Sequence, residues 1–91
     1  MKSTTTPAFR QLRKVIGLNL RRHRVRAGLT LAKLSRLSGI SPDLLDRFEL
    51  GRNEIALREI VRLSHALDVP VAVFVQETKV DKALLSMINY D

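Results

Sequence analysis

Ten of the chain's sixteen Lys and Arg side chains fall within residues 1–42, a stretch without a single Asp or Glu. They are Lys2, Arg10, Arg13, Lys14, Arg21, Arg22, Arg24, Arg26, Lys33 and Arg36. The other six bases share residues 43–91 with all nine acids. Cations massed this way neutralise phosphates or carboxylates, so the N-terminal half is expected to meet a polyanion. Plain solubility is the alternative use of a basic helix, and an anionic membrane surface is a third. Arg22, Arg24 and Arg26 are interleaved around the helix, which makes a poor membrane face. Other chemistry is sparse. His23 and His65 stand alone on separate helical stretches, as core-edge or surface residues do. Asp43, Asp46 and Glu49 recur every three residues, as cation ligands can. Arg24 and Arg47 compete for them, and no fourth ligand is evident. There is no glycine-rich phosphate loop, no nucleophile motif and no cysteine. No enzyme, metal or cofactor is expected.

These side chains need a frame, and the composition limits it. Ninety-one residues, 45% apolar but only 4% aromatic, suit one small domain with a core of Leu, Val and Ile, as in a helical bundle. No run approaches the ~18 apolar residues of a membrane span. The first thirty residues lack a secretory signal, so a cytoplasmic, nucleoid-associated protein is expected. Residues 1–6 read as a flexible tail. Thr6-Pro7 resembles a cap and a helix-starting proline. Phe9, Leu12, Ile16, Leu20 and His23 then mark one long helix from Ala8 to about Ala27, interrupted by Gly17 at a cost of ~1 kcal/mol.

The densest local signals lie between Gly28 and Gly51. Thr30 can cap a helix whose inner face carries Leu31, Leu34, Ser35 and Ser38. Gly39 can take the positive φ that ends it, and Ser41 with Pro42 starts another helix over 42–50. Two short helices about a tight turn form a helix-turn-helix. A further helix follows over 56–67, with Leu57, Ile60, Val61, Ser64 and Leu67 on one face. Val69-Pro70 breaks it, and Val71 to Val75 reads as a short helix. At the C-terminus, Val80, Ala83, Leu84, Met87 and Ile88 fall on one helical face. The chain thus divides into a tail at 1–6, a helix-turn-helix domain at 7–75 and a C-terminal helix at 79–91.

Ile16-Gly17, Leu20-Arg21, Arg24, Gly28-Leu29-Thr30, Leu34, Gly39-Ile40-Ser41, Phe48-Glu49, Gly51, Ile60, Leu63, Ala66-Leu67 and Val69 together resemble the phage-repressor and Cro-type helix-turn-helix family. Its members are also described as XRE-like or lambda-repressor-like DNA-binding domains. The match runs without a gap over roughly residues 15–75. It implies an all-α, lambda-repressor-like five-helix bundle, here with an extra C-terminal amphipathic helix. Two positions depart from the family pattern. Leu31 stands where a Gln usually touches the DNA backbone, and Ser35 stands where an Ala usually packs between the motif helices.

The resemblance implies a transcriptional regulator, most simply a repressor, that binds double-stranded DNA as a homodimer. The helix at 42–50 would bury Leu45 and Phe48 and present Pro42, Asp43, Asp46, Arg47 and Leu50 to the major groove, with Leu44 at the margin. Arg47 can bond guanine O6 and N7, Asp43 can accept from a cytosine amino group, and Leu44 can touch a thymine methyl. Asp43 is equally explained as a first-turn acid favoured by the helix dipole. Arg21, Arg22, Leu31, Lys33, Arg36, Ser41 and Arg52 are the expected phosphate contacts, with Arg58 and Arg62 further along. Arg24 and Glu49 take the family's structural ion pair. Val80, Leu84, Met87 and Ile88, joined by Phe9 and Leu12, are the candidate dimer surface, unless that helix folds back on its own core. Related folds also serve as antitoxins or bridging modules, so a toxin or regulator protein is an alternative partner.

Overall fold

The computed structural model describes residues 7–77. The expected tail at 1–6 and helix at 79–91, with Val80, Leu84, Met87 and Ile88, lie outside the described residues. Pro7 opens α1 (Pro7–Arg26), which is followed by α2 (Leu31–Ser38), α3 (Pro42–Glu49) and α4 (Leu57–Leu67). A 3-10 turn, η1 (Val71–Val75), comes last. The bounds differ from the sequence expectation by a residue or so at helix ends, where fraying decides them.

Local chemistry accounts for the breaks. The Thr30 hydroxyl accepts from the Lys33 N–H, and Gly39 ends α2 at φ 74°. The Ser41 hydroxyl accepts from the Leu44 N–H, and Pro42 occupies the first turn of α3. The start of α4 is half-capped. Glu59 reaches back to the Ala56 N–H at 2.8 Å, but Ala56 has no side-chain acceptor to return the bond. At its end Asp68 adopts a left-handed φ of 55°, while the Ser64 hydroxyl donates to the Val69 carbonyl.

Gly17 does not interrupt α1; it makes room for α3. A Cβ at that position would clash with the Phe48 carbonyl oxygen and stand 2.7 Å from that of Glu49. The helix-propensity cost therefore allows a close approach of two backbones. Around this contact α1 packs on α3 and η1, α2 packs on α3 and α4, and η1 closes against α4. The core between them holds Ile16, Leu20, Leu34, Ile40, Leu45, Phe48, Leu63, Leu67 and Phe74.

The structure corrects several assignments of apolar residues. On α4 the buried seam is Leu63, Ser64 and Leu67, with Ile60 partly covered. Leu57 is 71% exposed and Val61 also faces outward. Five apolar positions over eleven residues fit two neighbouring stripes, and the one containing Leu63 is the one covered where α4 packs on α2 and η1. On α1 the apolar spacing passes over Val15 and Asn19, which are buried, while Phe9 and Leu12, named with the candidate dimer surface, are exposed. Leu31 and Ser35 are only partly buried.

Candidate nucleic-acid interface

The two ends of α3 are held differently. Leu45 and Phe48 turn into the core, and Glu49 is 3% exposed beside Arg24 of α1. The guanidinium grips that carboxylate in a bidentate pair, Nε to Oε2 at 2.5 Å and Nη2 to Oε1 at 3.0 Å. Its remaining Nη1 donates to the Leu29 carbonyl at 2.8 Å, so one side chain ties α1, α3 and the loop before α2. The hydrogen bond to Glu49 raises the Arg24 pKa above its ordinary value, against the opposing effect of burial. Just beyond α3, Arg13 Nε donates to the Gly51 carbonyl at 3.3 Å. Gly51 lies at φ 70°, and a Cβ there would stand 3.1 Å from the Lys14 Cα.

The N-terminal half of α3 carries no such restraint. Pro42, Asp43, Asp46 and Arg47 are exposed, and Leu44 packs partly on the core. Asp43 and Arg47 share a face at i and i+4. Asp43 and Asp46 point outward while Glu49 is turned inward to Arg24, so the three carboxylates do not form one site. No group of three or more His, Cys, Asp or Glu side chains able to hold a metal ion occurs among the described residues.

Of the expected phosphate contacts, Arg21, Lys33, Arg36, Ser41 and Arg52 are exposed, as are Arg58 and Arg62. Leu31 packs partly on the core, which leaves the first-turn N–H groups of α2 as its means of meeting an anion. Arg22 stands apart from this set. Gly17 and Arg24, seven residues apart, mark the flank of α1 that touches α3. Asn19, Arg22 and Arg26 lie on the opposite flank by helical spacing. There Arg22 Nη1 donates to Asn19 Oδ1 at 3.2 Å. The structure therefore does not bring Arg22 beside α3. Toward the start of α1 the cations crowd one another. Burial first, then Arg10 and Arg13, holds the Lys14 ammonium below its ordinary pKa.

Asn19 is a residue that the apolar spacing misses. Its Nδ2 donates to the Phe74 carbonyl at 2.9 Å and the Gln76 carbonyl at 2.7 Å, which hooks the end of η1 onto α1. The one available signal was an amide inside a buried helical stripe, a position that requires partners. Next to it, His23 meets the Phe74 ring edge-on, with centroids 6.3 Å apart and planes at 71°. Burial, followed by Arg26 and Arg22, lowers the His23 pKa from its ordinary 6.5. His65 is exposed in the last turn of α4.

A family model described as a helix-turn-helix domain matches residues 15–74. No curated protein matches the chain. Among solved structures, the clp gene regulator ClgR from Corynebacterium glutamicum is 34% identical, with a TM-score of 0.73 over 84% of this chain and 81% of that one. The restriction-modification controller protein C.AhdI from Aeromonas hydrophila is 29% identical, with a TM-score of 0.66 over 68% of this chain and 94% of its own. A hypothetical transcription factor, NHTF from Neisseria, is 25% identical, with a TM-score of 0.71 over 97% and 98% of the two chains. No helix among the described residues is long and apolar enough to cross a membrane.

Proposed function

Because this chain belongs to the XRE-like helix-turn-helix family of DNA-binding transcriptional regulators, we propose that it acts as a repressor whose α3 enters the major groove. The observation that carries this reading is the asymmetry of α3. Its C-terminal end is clamped through Gly17 and the Arg24–Glu49 pair, while Pro42, Asp43, Asp46 and Arg47 are presented outward. A rigidly aimed, exposed helix start is what base reading needs. Arg47 bonds a guanine edge, Asp43 accepts from a cytosine amino group, and Leu44 brushes a thymine methyl. Around them Arg21, Lys33, Arg36 and Arg52 neutralise phosphates, and the N–H groups near Leu31 and Ser41 add main-chain contacts. These cations outweigh the two exposed carboxylates in non-specific affinity.

One such helix reads few base pairs. Selectivity is supplied by a homodimer that sets two α3 helices ~34–36 Å apart on a near-palindromic site. Repression follows when such a site overlaps a promoter, and the reading places the protein in the cytoplasm with the nucleoid. A salt titration on cognate and random duplexes tests it. A steep fall of log K with log salt is expected, and Arg52→Ala should lower that slope by about one unit. A flat response would overturn the reading.

A second reading, a module that binds a toxin or regulator protein, draws on two observations. Asp43 and Asp46 sit on the presented face, and Leu31 brings no side-chain donor to the start of α2. That module would show almost no salt-dependent DNA binding in the same titration.

A further inference from the structure

The flank of α1 turned away from α3 carries an open groove of about 490 Å³, lined by Leu18, Arg21, Arg22, Val25 and Arg26. Its floor is apolar: Leu18 is half-buried and Val25 is 57% exposed. One turn earlier on the same stripe, Val15 is 4% exposed although it lies outside the central core cluster. Gln11, Val15, Leu18, Arg22 and Val25 recur at intervals of four and three residues. They form one stripe about 21 Å long.

The chain is led onto this stripe. Asn19 holds the Phe74 and Gln76 carbonyls, and Gln11 Nε2 donates to Glu77 Oε2 at 3.3 Å. The last described residues, up to Glu77, thus lie along the flank that carries the groove. In sequence the segment that follows, 78–91, sets Val80, Ala83, Leu84, Met87 and Ile88 on one helical face and carries Lys79, Asp81, Lys82 and Asp91 around it. As a helix, residues 80–91 measure about 17 Å, against about 15 Å from Val15 to Val25. Length and apolar pattern match the groove; the two acids and two lysines of the segment balance, so its charge does not select a rim of three guanidiniums.

We propose that residues 80–88 of the same chain occupy this groove, seating Val80, Leu84, Met87 and Ile88 against Val15, Leu18 and Val25. The segment then completes its own domain, and copies of the chain pair through another surface. DNA contact through α3 plays no part in this packing.

The full-length chain with a photo-reactive benzoylphenylalanine at Leu18 tests the contact, with the same group at exposed Leu37 as a control. A mixture of ¹⁴N- and ¹⁵N-labelled chains is irradiated and the linked peptides are mapped. Residue 18 is expected to join peptides from 80–91 with matched isotopes on a single chain, and residue 37 is not. Mixed-isotope pairs in statistical proportion would assign the groove to a second copy, and the absence of any link from residue 18 to 80–91 would assign it to another occupant. Either result overturns the proposal. In the full-length Leu84→Asp/Met87→Asp variant, the methyl resonances of Val15, Leu18 and Val25 should shift. If they stay in place while α3 resonances are also unchanged, the segment does not lie there.

Discussion

The two flanks of α1 are held by different physics. Toward α3 the contact is close and charged: a glycine admits two carbonyls, and a bidentate ion pair with little solvent access sets the angle. Toward η1 it is softer, made by one amide hooking two carbonyls and an imidazole edge on a phenyl ring. The first flank aims the presented helix, so small displacements there move the residues that would read bases. The second flank closes the core over Phe74 and steers the chain's exit.

Breaking the ion pair should have the largest effect. Arg24→Ala leaves the Glu49 carboxylate buried without a counter-charge, at a cost of about 3–5 kcal/mol. Urea unfolding should show the midpoint falling accordingly, and cognate DNA affinity should drop even where the chain remains folded. Gly17→Ala comes next. The added methyl meets two backbone carbonyls that cannot rotate away, so a loss toward the upper end of about 1–3 kcal/mol is expected. Alanine's gain in helix propensity, about 1 kcal/mol, offsets part of it. An unchanged or raised urea midpoint would show that α1 and α3 approach less closely than described.

On the other flank, Asn19→Ala removes the donor shared by the Phe74 and Gln76 carbonyls. Stability should fall by the lower part of about 1–3 kcal/mol, since exposed Gln76 can turn to water. DNA affinity per folded molecule should not change, in contrast to Arg24→Ala. Equal losses of affinity in both variants would remove the distinction between the flanks.

The smallest effect is titration of His23. Its folded-state pKa lies below 6.5, so the native state favours the neutral ring. The stabilisation is complete above about pH 6.5 and declines as pH falls toward the lower folded-state value. Thermal melting from pH 7 to pH 5 should show this decline, and His23→Gln should flatten it.

Much of the helix-turn-helix was legible because its signals are short-range. Thr30, Gly39, Ser41 and Pro42 act on backbone groups within three or four residues, so their roles follow from their chemistry. The stripes of α1 and α4 were legible only as helices. Which side of each was covered depended on neighbours far along the chain. Leu57 and Val61 were expected inside and face outward, while Leu63 is the residue that packs. Arg22 was grouped with its sequence neighbours, yet a three-residue step around α1 carries it to the flank of Asn19. The pairing of Arg24 with Glu49 was expected from the family resemblance, since nothing local links residues twenty-five positions apart.

Composition and spacing by themselves determined the helices, their caps, and a basic N-terminal half suited to a polyanion. Those properties depend on backbone hydrogen bonds and charges that each residue carries wherever it is placed. Only the tertiary structure decided that Gly17 is a seat for α3, that Asn19 is a hook for η1, and that the arginines of α1 part to opposite sides. Such roles arise from steric exclusion and short-range polar contacts between distant segments, which exist only once the helices have packed.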